Sequence, residues 1–498
     1  MKLAIVGGGG ASMALLAALS RDRIAPFDIT LFEACAIAGP GRAYLADSDS
    51  ALLNVTALRM SLYSDMPGDF WAWLMATRAL GAATSAIKPA DYLPRRLFGD
   101  YLRHVLADLA SRTRQSGRRF DLHHSAVTGA AQTAAGVTLT TADGQSHHGF
   151  EKVVLCVGVG GATALPALAD RPNYVEDPYP LRTRLSSLDP DAAVVVMGSG
   201  LTAVDVVLFL LHNGHKAGIT LVSRNGLLPS VRTTAPPPAL RYLSQSALRR
   251  QLAADPALTL DRLFALFAAE LAAVGLSLED VCADTAPGAD FQSRLRRQLA
   301  EAERGGALWQ PILIKAMHES VERIWHAMPR GDRRRFLDHW HSRFISLLSP
   351  IPQQTARRLL AAADAGQLRV VRCHPGASPG ADFRIPLVEG ACTAEVVINT
   401  MRPAQAPVPD RAAALVDSLV QGGLARLHPF GGVEIDPASN RLVTAGGQPD
   451  PHLFALGQLT SGTHYYTSSM LKISQQADVV AHQLFAAVSS GTPLHPIS

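Results

Sequence analysis

Cysteine is scarce and scattered in this 498-residue chain: Cys35, Cys156, Cys282, Cys373 and Cys392. The number is odd and no pair is spaced C-x-x-C. That argues against a disulfide framework or a zinc site and for a reducing, cytoplasmic setting. Charge is also sparse, at 18% of residues with a net charge of +4. No Lys/Arg run forms a basic stripe, so nucleic acid is not an expected partner. The densest basic stretch, RGDRRRF from Arg330 to Phe336, reads as a solvated helix start or as a seat for an anionic substrate or a cofactor phosphate. Metal-ligand spacing is missing as well. The doublets His123-His124 and His147-His148 lack it, and in HWH the two histidines, His339 and His341, would point to different faces of a helix.

Apolar residues are plentiful by contrast, at 48%. They come in short unbroken runs, the form taken by parallel strands buried on both faces. At roughly 100–200 residues per domain, the length allows about two to four domains. Two stretches imitate membrane or secretion signals. MKLAIVGGGGASMALLAAL has a basic start and an apolar core, but four glycines interrupt the core where a signal helix should be continuous. AAVVVMGSGLTAVDVVLFLL is long enough for a membrane span but carries Asp205, Gly198 and Gly200. No membrane partner is expected.

Both stretches share one layout: an apolar run, a glycine cluster, then small and aliphatic residues. In the first, KLAIV reads as a buried strand, and Gly7, Gly8, Gly9, Gly10, Ala11 and Ser12 fit G-x-G-x-x-small. The first glycine permits a tight turn, the second lets backbone approach a pyrophosphate, and the third position must be small for helix and strand to pack. Ser12 at that third position is a mild departure. The helix that follows aims its N–H groups at phosphates. The next strand, FDITLFEA, ends in Glu33, an acceptor placed for a ribose.

The second copy places Gly198, Ser199, Gly200, Leu201, Thr202 and Ala203 in the same pattern. Its following strand, GITLVSR, ends in Ser223-Arg224. An acid there would repel a 2′-phosphate, whereas arginine pairs with one. The expected cofactors are FAD at the first turn and NADPH, or NADH, at the second. The expected fold class is α/β, with two Rossmann-like three-layer dinucleotide-binding domains and an α-helical insert.

Four further stretches carry a resemblance: GRAYLADSDSALLNVTALRMSLYSDMPGDFWAWL, YLPRRLFGDYLRHVL, KVVLCVG, and HLFALGQLTSGTHYYTSSMLKISQQADVVAHQL. With the two glycine turns they make the chain similar to bacterial FAD/NAD(P)-binding flavoprotein monooxygenases. That family includes a flavin-dependent urate hydroxylase and an aspartate N-hydroxylase, and more distantly the ornithine and lysine N-hydroxylases. The closing turn, Gly457 to Gly462, departs from the family, which often has Pro and Arg at its second and fifth places. WHSRFISLLSPIP lacks an Arg-His-Arg cluster found near it.

The resemblance implies that Asn54 and Met60 lie near the isoalloxazine and that the strand ending at Gly158 returns toward the flavin. It also implies that Val127 presents backbone to adenine and that Gly457 and Leu459 approach the pyrimidine end. Arg95 would cap the flavin region, with a structural ion pair as the alternative. Trp309, His464 and Tyr465 are substrate-pocket candidates, with plain packing as the alternative. No catalytic side chain is assigned. The expected reaction hydroxylates a small polar nitrogen compound with O2 through a C4a-(hydro)peroxyflavin. Urate is the leading substrate and an amino-acid amine the alternative. An NADPH-dependent reductase and a non-catalytic FAD-binding protein are the readings of another class.

The expected organisation is 1–170 and 404–498 for the FAD domain, 171–240 and 366–403 for the NAD(P)H domain, and 241–365 for the helical insert. The insert would cover the active site or make the surface of a homo-oligomer.

Overall fold

The apolar run KLAIV forms a central strand, Lys2–Val6, of a parallel sheet, buried everywhere but at Lys2. The structure is a computed structural model and describes residues 1–21, 26–158, 165–288, 290–374, 376–380, 382–401, 408 and 410–490. Its contacts divide the chain into two units.

The first unit comprises Met1–Ala46, Val55–Gly160 and Gln405–Ser498. Its six-stranded sheet runs Arg441–Val443, Pro449–Ala455, Lys152–Leu155, Lys2–Val6, Asp28–Phe32 and Phe120–His123. All neighbours are parallel except the first pair. The helix Gly10–Leu19 packs between the sheet and the helices Arg95–Gln115 and Met470–Ser490. It is apolar nearly all round because it is enclosed. An antiparallel meander, Val127–Thr133, Gly136–Thr141 and Ser146–Phe150, shares a core with the sheet and the helix Asp410–Gln421 through Phe32, Leu139, Phe150, Leu155 and Leu415.

The stretch FDLHHSAVTGA forms two strands. Phe120–His123 joins the parallel sheet and Val127–Thr133 starts the meander. The histidine doublets also meet in space: the rings of His123 and His147 lie 4.7 Å apart and both pack on Phe32. Among the described residues no cluster could hold a metal ion.

The second unit comprises Asp47–Asn54 and Gly161–Ala404. Its sheet is wholly parallel: Leu368–Arg372, Ile219–Ser223, Val194–Met197, Val396–Asn399 and Tyr174–Val175. Residues 47–54, read with the first domain, cluster here instead. The Asp47 carboxylate accepts the N–H groups of Leu181 (2.6 Å) and Arg182 (2.9 Å), and Ala51 enters the core beside Leu181. The expected boundary between 403 and 404 lies outside the described residues.

The stretch 241–365 is helical, as its amphipathic spacing requires. Ser244, Thr259, Ser277 and Asp290 each cap a helix by accepting the N–H three residues on. It is not a separate body, because Leu295, Leu299, Ala356 and Leu359 share one core with the sheet strands. RGDRRRF begins an exposed helix, Arg330–His339, where Arg335 pairs with Asp261. No helix among the described residues is long and apolar enough to cross a membrane.

Candidate dinucleotide-binding sites

In the first unit, Gly7 ends the central strand with φ of +101°, and a Cβ there would come within 2.3 Å of the Cys156 carbonyl oxygen. Only glycine fits. Gly9 caps the helix Gly10–Leu19 without a side-chain acceptor, so the N–H groups of its first turn, at Gly10, Ala11 and Ser12, have neither a cap nor an intrahelical acceptor. The Ser12 hydroxyl is turned inward and donates to the Gly9 carbonyl at 2.7 Å. That explains why a serine is tolerated at this crowded position.

Glu33 stands at the end of the second strand, as expected. Its oxygens accept the N–H groups of Gly8 (2.6 Å) and Cys35 (2.8 Å). A carboxylate has about four acceptor sites, so capacity for a ribose remains.

The closing turn reaches the same place. A Cβ on Gly457 would lie 3.3 Å from that of Ala11, and Leu459 is buried. Gln476, on the helix Met470–Ser490, accepts the Gly457 N–H through Oε1 at 3.4 Å. Its Nε2 is buried with no hydrogen-bond partner. An orphaned donor beside the glycine turn fits a ligand rich in acceptors. Sequence reading missed Gln476, which carries no local signal in KISQQADVV.

It also missed Tyr44, whose ring would be 3.8 Å from a Cβ on Gly10. Burial pushes the Tyr44 hydroxyl up to about 12, against the opposing charge of Arg95, so it stays a neutral donor at pH 7. Arg95 opens the helix Arg95–Gln115. Val127 starts the meander at a β-bulge, Gly158 follows the strand Lys152–Leu155 with φ of +77°, and Met60 is buried in this unit. Asn54 belongs to the second unit, so it does not share a body with Met60.

The other candidates divide. Trp309 is 8% exposed and packs with Leu271, Val281, Ile312 and Leu313, the packing alternative of its two readings. The apolar cluster around its helix claims the ring. His464 is buried with its Nε2 3.2 Å from Asn440 Oδ1. Tyr465 adopts φ 59° and ψ −60°, and the Tyr466 N–H donates to the His464 carbonyl at 2.7 Å. That is a γ-turn of the strained hand, rare for any residue with a side chain.

In the second unit, Gly198 has φ of +116°, and a Cβ would lie 2.5 Å from Thr400 Oγ1. Gly200 caps the helix Leu201–His212, again without a side-chain acceptor, and the space around it is open. Thr202 lies in that first turn. The Ser223 hydroxyl holds the turn itself. It lies 2.8 Å from Ser199 Oγ and accepts the Gly226 N–H at 3.1 Å. Arg224 is exposed at the carboxyl end of its strand. Both units thus present the donors that a dinucleotide pyrophosphate needs.

Residues 4–160 match the model of a family described as FAD-NAD(P)-binding. Over 435 residues the chain is 25% identical to the uncharacterised protein YdhS of Escherichia coli K12, covering 78% of this chain and 79% of that one. Among solved structures, it is similar to the ornithine N-hydroxylase of Kutzneria sp. 744, with a TM-score of 0.56 at 14% identity, covering 98% of this chain and 99% of the other. It is similar to L-lysine 6-monooxygenase from Pseudomonas syringae, with a TM-score of 0.56 at 16% identity and the same coverage. It is also similar to the FAD-bound cadaverine monooxygenase of desferrioxamine biosynthesis from Erwinia amylovora, with a TM-score of 0.55 at 12% identity, covering 100% and 96%. The chain therefore has the mixed α/β fold of these flavin monooxygenases, built on two Rossmann-like parallel sheets.

Proposed function

We propose that this protein is an FAD- and NADPH-dependent monooxygenase that hydroxylates the amine nitrogen of a small polar molecule of the amino-acid or diamine class. The observation that carries the reading is a duplication. Each unit has a left-handed glycine ending a central parallel strand and an uncapped helix start. An acid follows in one unit and an arginine in the other. The amine is favoured over urate, the substrate expected from sequence, because the similar structures act on ornithine, lysine and cadaverine.

In this reading the first unit holds FAD. The first-turn N–H groups after Gly9 bind its pyrophosphate, Glu33 its adenosine ribose, and Val127 its adenine. Gly158, Gly457, Leu459 and Met60 lie toward the ring system, where Gln476 offers its spare N–H. The second unit holds NADPH through Gly198, Gly200, Thr202 and Arg224, with Ser223 shaping the turn. FAD held there would supply the redox chemistry that links NADPH and O2. The protein's own task is to orient the amine, exclude water and hold donors in place. His464 and Tyr465, in the closing turn, are the substrate-pocket candidates of this reading.

The test is NADPH oxidation by the FAD-loaded protein in air, with ornithine, lysine, cadaverine or urate, while following hydrogen peroxide and hydroxylamine. Stimulation by one amine with hydroxylamine formed and little peroxide supports the reading. Stimulation and consumption of urate would overturn the amine assignment. No NADPH oxidation at all would overturn the monooxygenase.

A further inference from the structure

We propose that Arg372, together with Arg224, forms a two-guanidinium seat for the 2′-phosphate of NADPH, and that the helical stretch 241–365 builds part of its wall. The proposal rests on the reading of the second unit as the NADPH-binding one.

Strand register places the two arginines at the ends of neighbouring strands. Ser223 pairs with Arg372 across the parallel strands Ile219–Ser223 and Leu368–Arg372, and the Cys373 N–H donates to the Ser223 carbonyl at 3.1 Å. Arg224 is the next residue along. Both side chains therefore leave the sheet at the carboxyl ends of adjacent strands, the edge at which parallel sheets bind ligands.

Among the described residues the guanidinium groups of Arg224 and Arg372 make no hydrogen bond or ion pair, and the Arg372 Nε is buried with no acceptor. Three exposed arginines of this unit are paired instead: Arg296 with Asp364, Arg335 with Asp261 and Arg357 with Glu303. A buried donor left unmade is costly unless a ligand completes it.

The surroundings are shaped to hold the Arg372 side chain. Gly226 (φ +64°) and Gly288 (φ +87°) come from different loops. A Cβ on the first would lie 2.9 Å from Arg372 Cγ, and a Cβ on the second 3.0 Å from Arg372 Nη1. Gly288 comes from the helical stretch. So does Ser342, whose Oγ accepts from Asn225 Nδ2 at 3.1 Å, and Ser346, whose carbonyl accepts the Ser230 N–H at 2.8 Å. These bonds fix the loop that carries Arg224. His341, beside Arg224, is driven down to about 4 by burial and then by that arginine's charge, so it is neutral at pH 7 and adds no competing cation. Two planar guanidinium groups are suited to the oxygens of a phosphomonoester.

The test is calorimetric binding of 2′,5′-ADP and of 5′-ADP to the FAD-loaded full chain, for wild type, Arg372→Gln, Arg372→Lys and Gly288→Ala. The expected result is that wild type prefers 2′,5′-ADP. Arg372→Gln should lose about tenfold or more of that preference with 5′-ADP binding unchanged. Arg372→Lys should retain part of it, and Gly288→Ala should weaken it by crowding Nη1. A well-folded Arg372→Gln or Arg372→Lys protein with the full wild-type preference overturns the seat while leaving the NADPH reading in place. Wild-type protein that binds neither nucleotide, or both alike, overturns that reading and the seat with it.

Discussion

Glu33 Oε2 accepts the Gly8 N–H at 2.6 Å, so the acid that ends one strand also braces the glycine turn that ends its neighbour. Its second oxygen does the same for Cys35. Removing the carboxylate should loosen the turn and lose a ribose acceptor together. Hydrogen bonds to a charged group contribute about 1.5–3 kcal/mol each, so Glu33→Ala should weaken FAD binding by roughly tenfold to a hundredfold. The flavin-to-protein absorbance ratio after desalting measures this. Full retention of yellow flavin by the variant would remove Glu33 from the site.

The γ-turn at Tyr465 gives a second, separable prediction. In most backbone settings alanine is at least as stable as glycine. At φ 59° and ψ −60° the order should invert, because only glycine escapes the strain. Tyr465→Gly should exceed Tyr465→Ala in stability by about 1–3 kcal/mol, read from urea unfolding. Equal stabilities would mean that the turn relaxes once the ring is gone.

Acid should weaken the second unit through His341. Its folded value is about 4, below the ordinary histidine value of 6.5. Between these values the unfolded chain binds a proton that the folded chain refuses. Stability is therefore complete above about pH 6.5 and falls as pH drops toward 4. His341→Asn should flatten the Tm profile across that window. His215, in the same unit, is shifted the same way by burial, so part of the slope should survive the substitution.

Glu270 is 3% exposed and accepts the N–H groups of Arg241 (3.1 Å), Tyr242 (2.6 Å) and Leu243 (2.8 Å). It anchors the chain where the Pro-rich break TTAPPPAL ends. Glu270→Ala should cost about 3–5 kcal/mol in chemical denaturation, with Glu270→Gln costing less. A change of a few tenths would mean that water replaces all three bonds.

What the sequence made legible was local chemistry. Gly7 and Gly198 were readable because a tight turn against a neighbouring strand admits nothing larger, and that demand is written in the adjacent residues. The end-of-strand acid Glu33 and the arginine Arg224 followed from the same short unit. What stayed hidden depends on distant partners. Arg372 acquires meaning only through its register against Ser223, a pairing made across the whole helical stretch. Residues 47–54 looked continuous with their neighbours until Asp47 met the N–H groups of Leu181 and Arg182. Trp309 could be read as pocket or packing because a lone tryptophan gives no hint of the leucines, isoleucine and valine beside it. His123 and His147 had no useful spacing along the chain, yet a meander folds one ring against the other.

The excursion of residues 47–54 into the second unit has a consequence for how this protein can be cut and inherited. The polypeptide passes from one unit to the other at four places, after residues 46, 54, 160 and 404. No single nick can release either body. Neither is encoded by one uninterrupted stretch of the gene. Excising 161–404 behind a linker would strand Ala51, now 3% exposed, without the core residues that bury it. Recombination that exchanges one cofactor body for another therefore has to carry an eight-residue passenger from inside the other body's coding sequence.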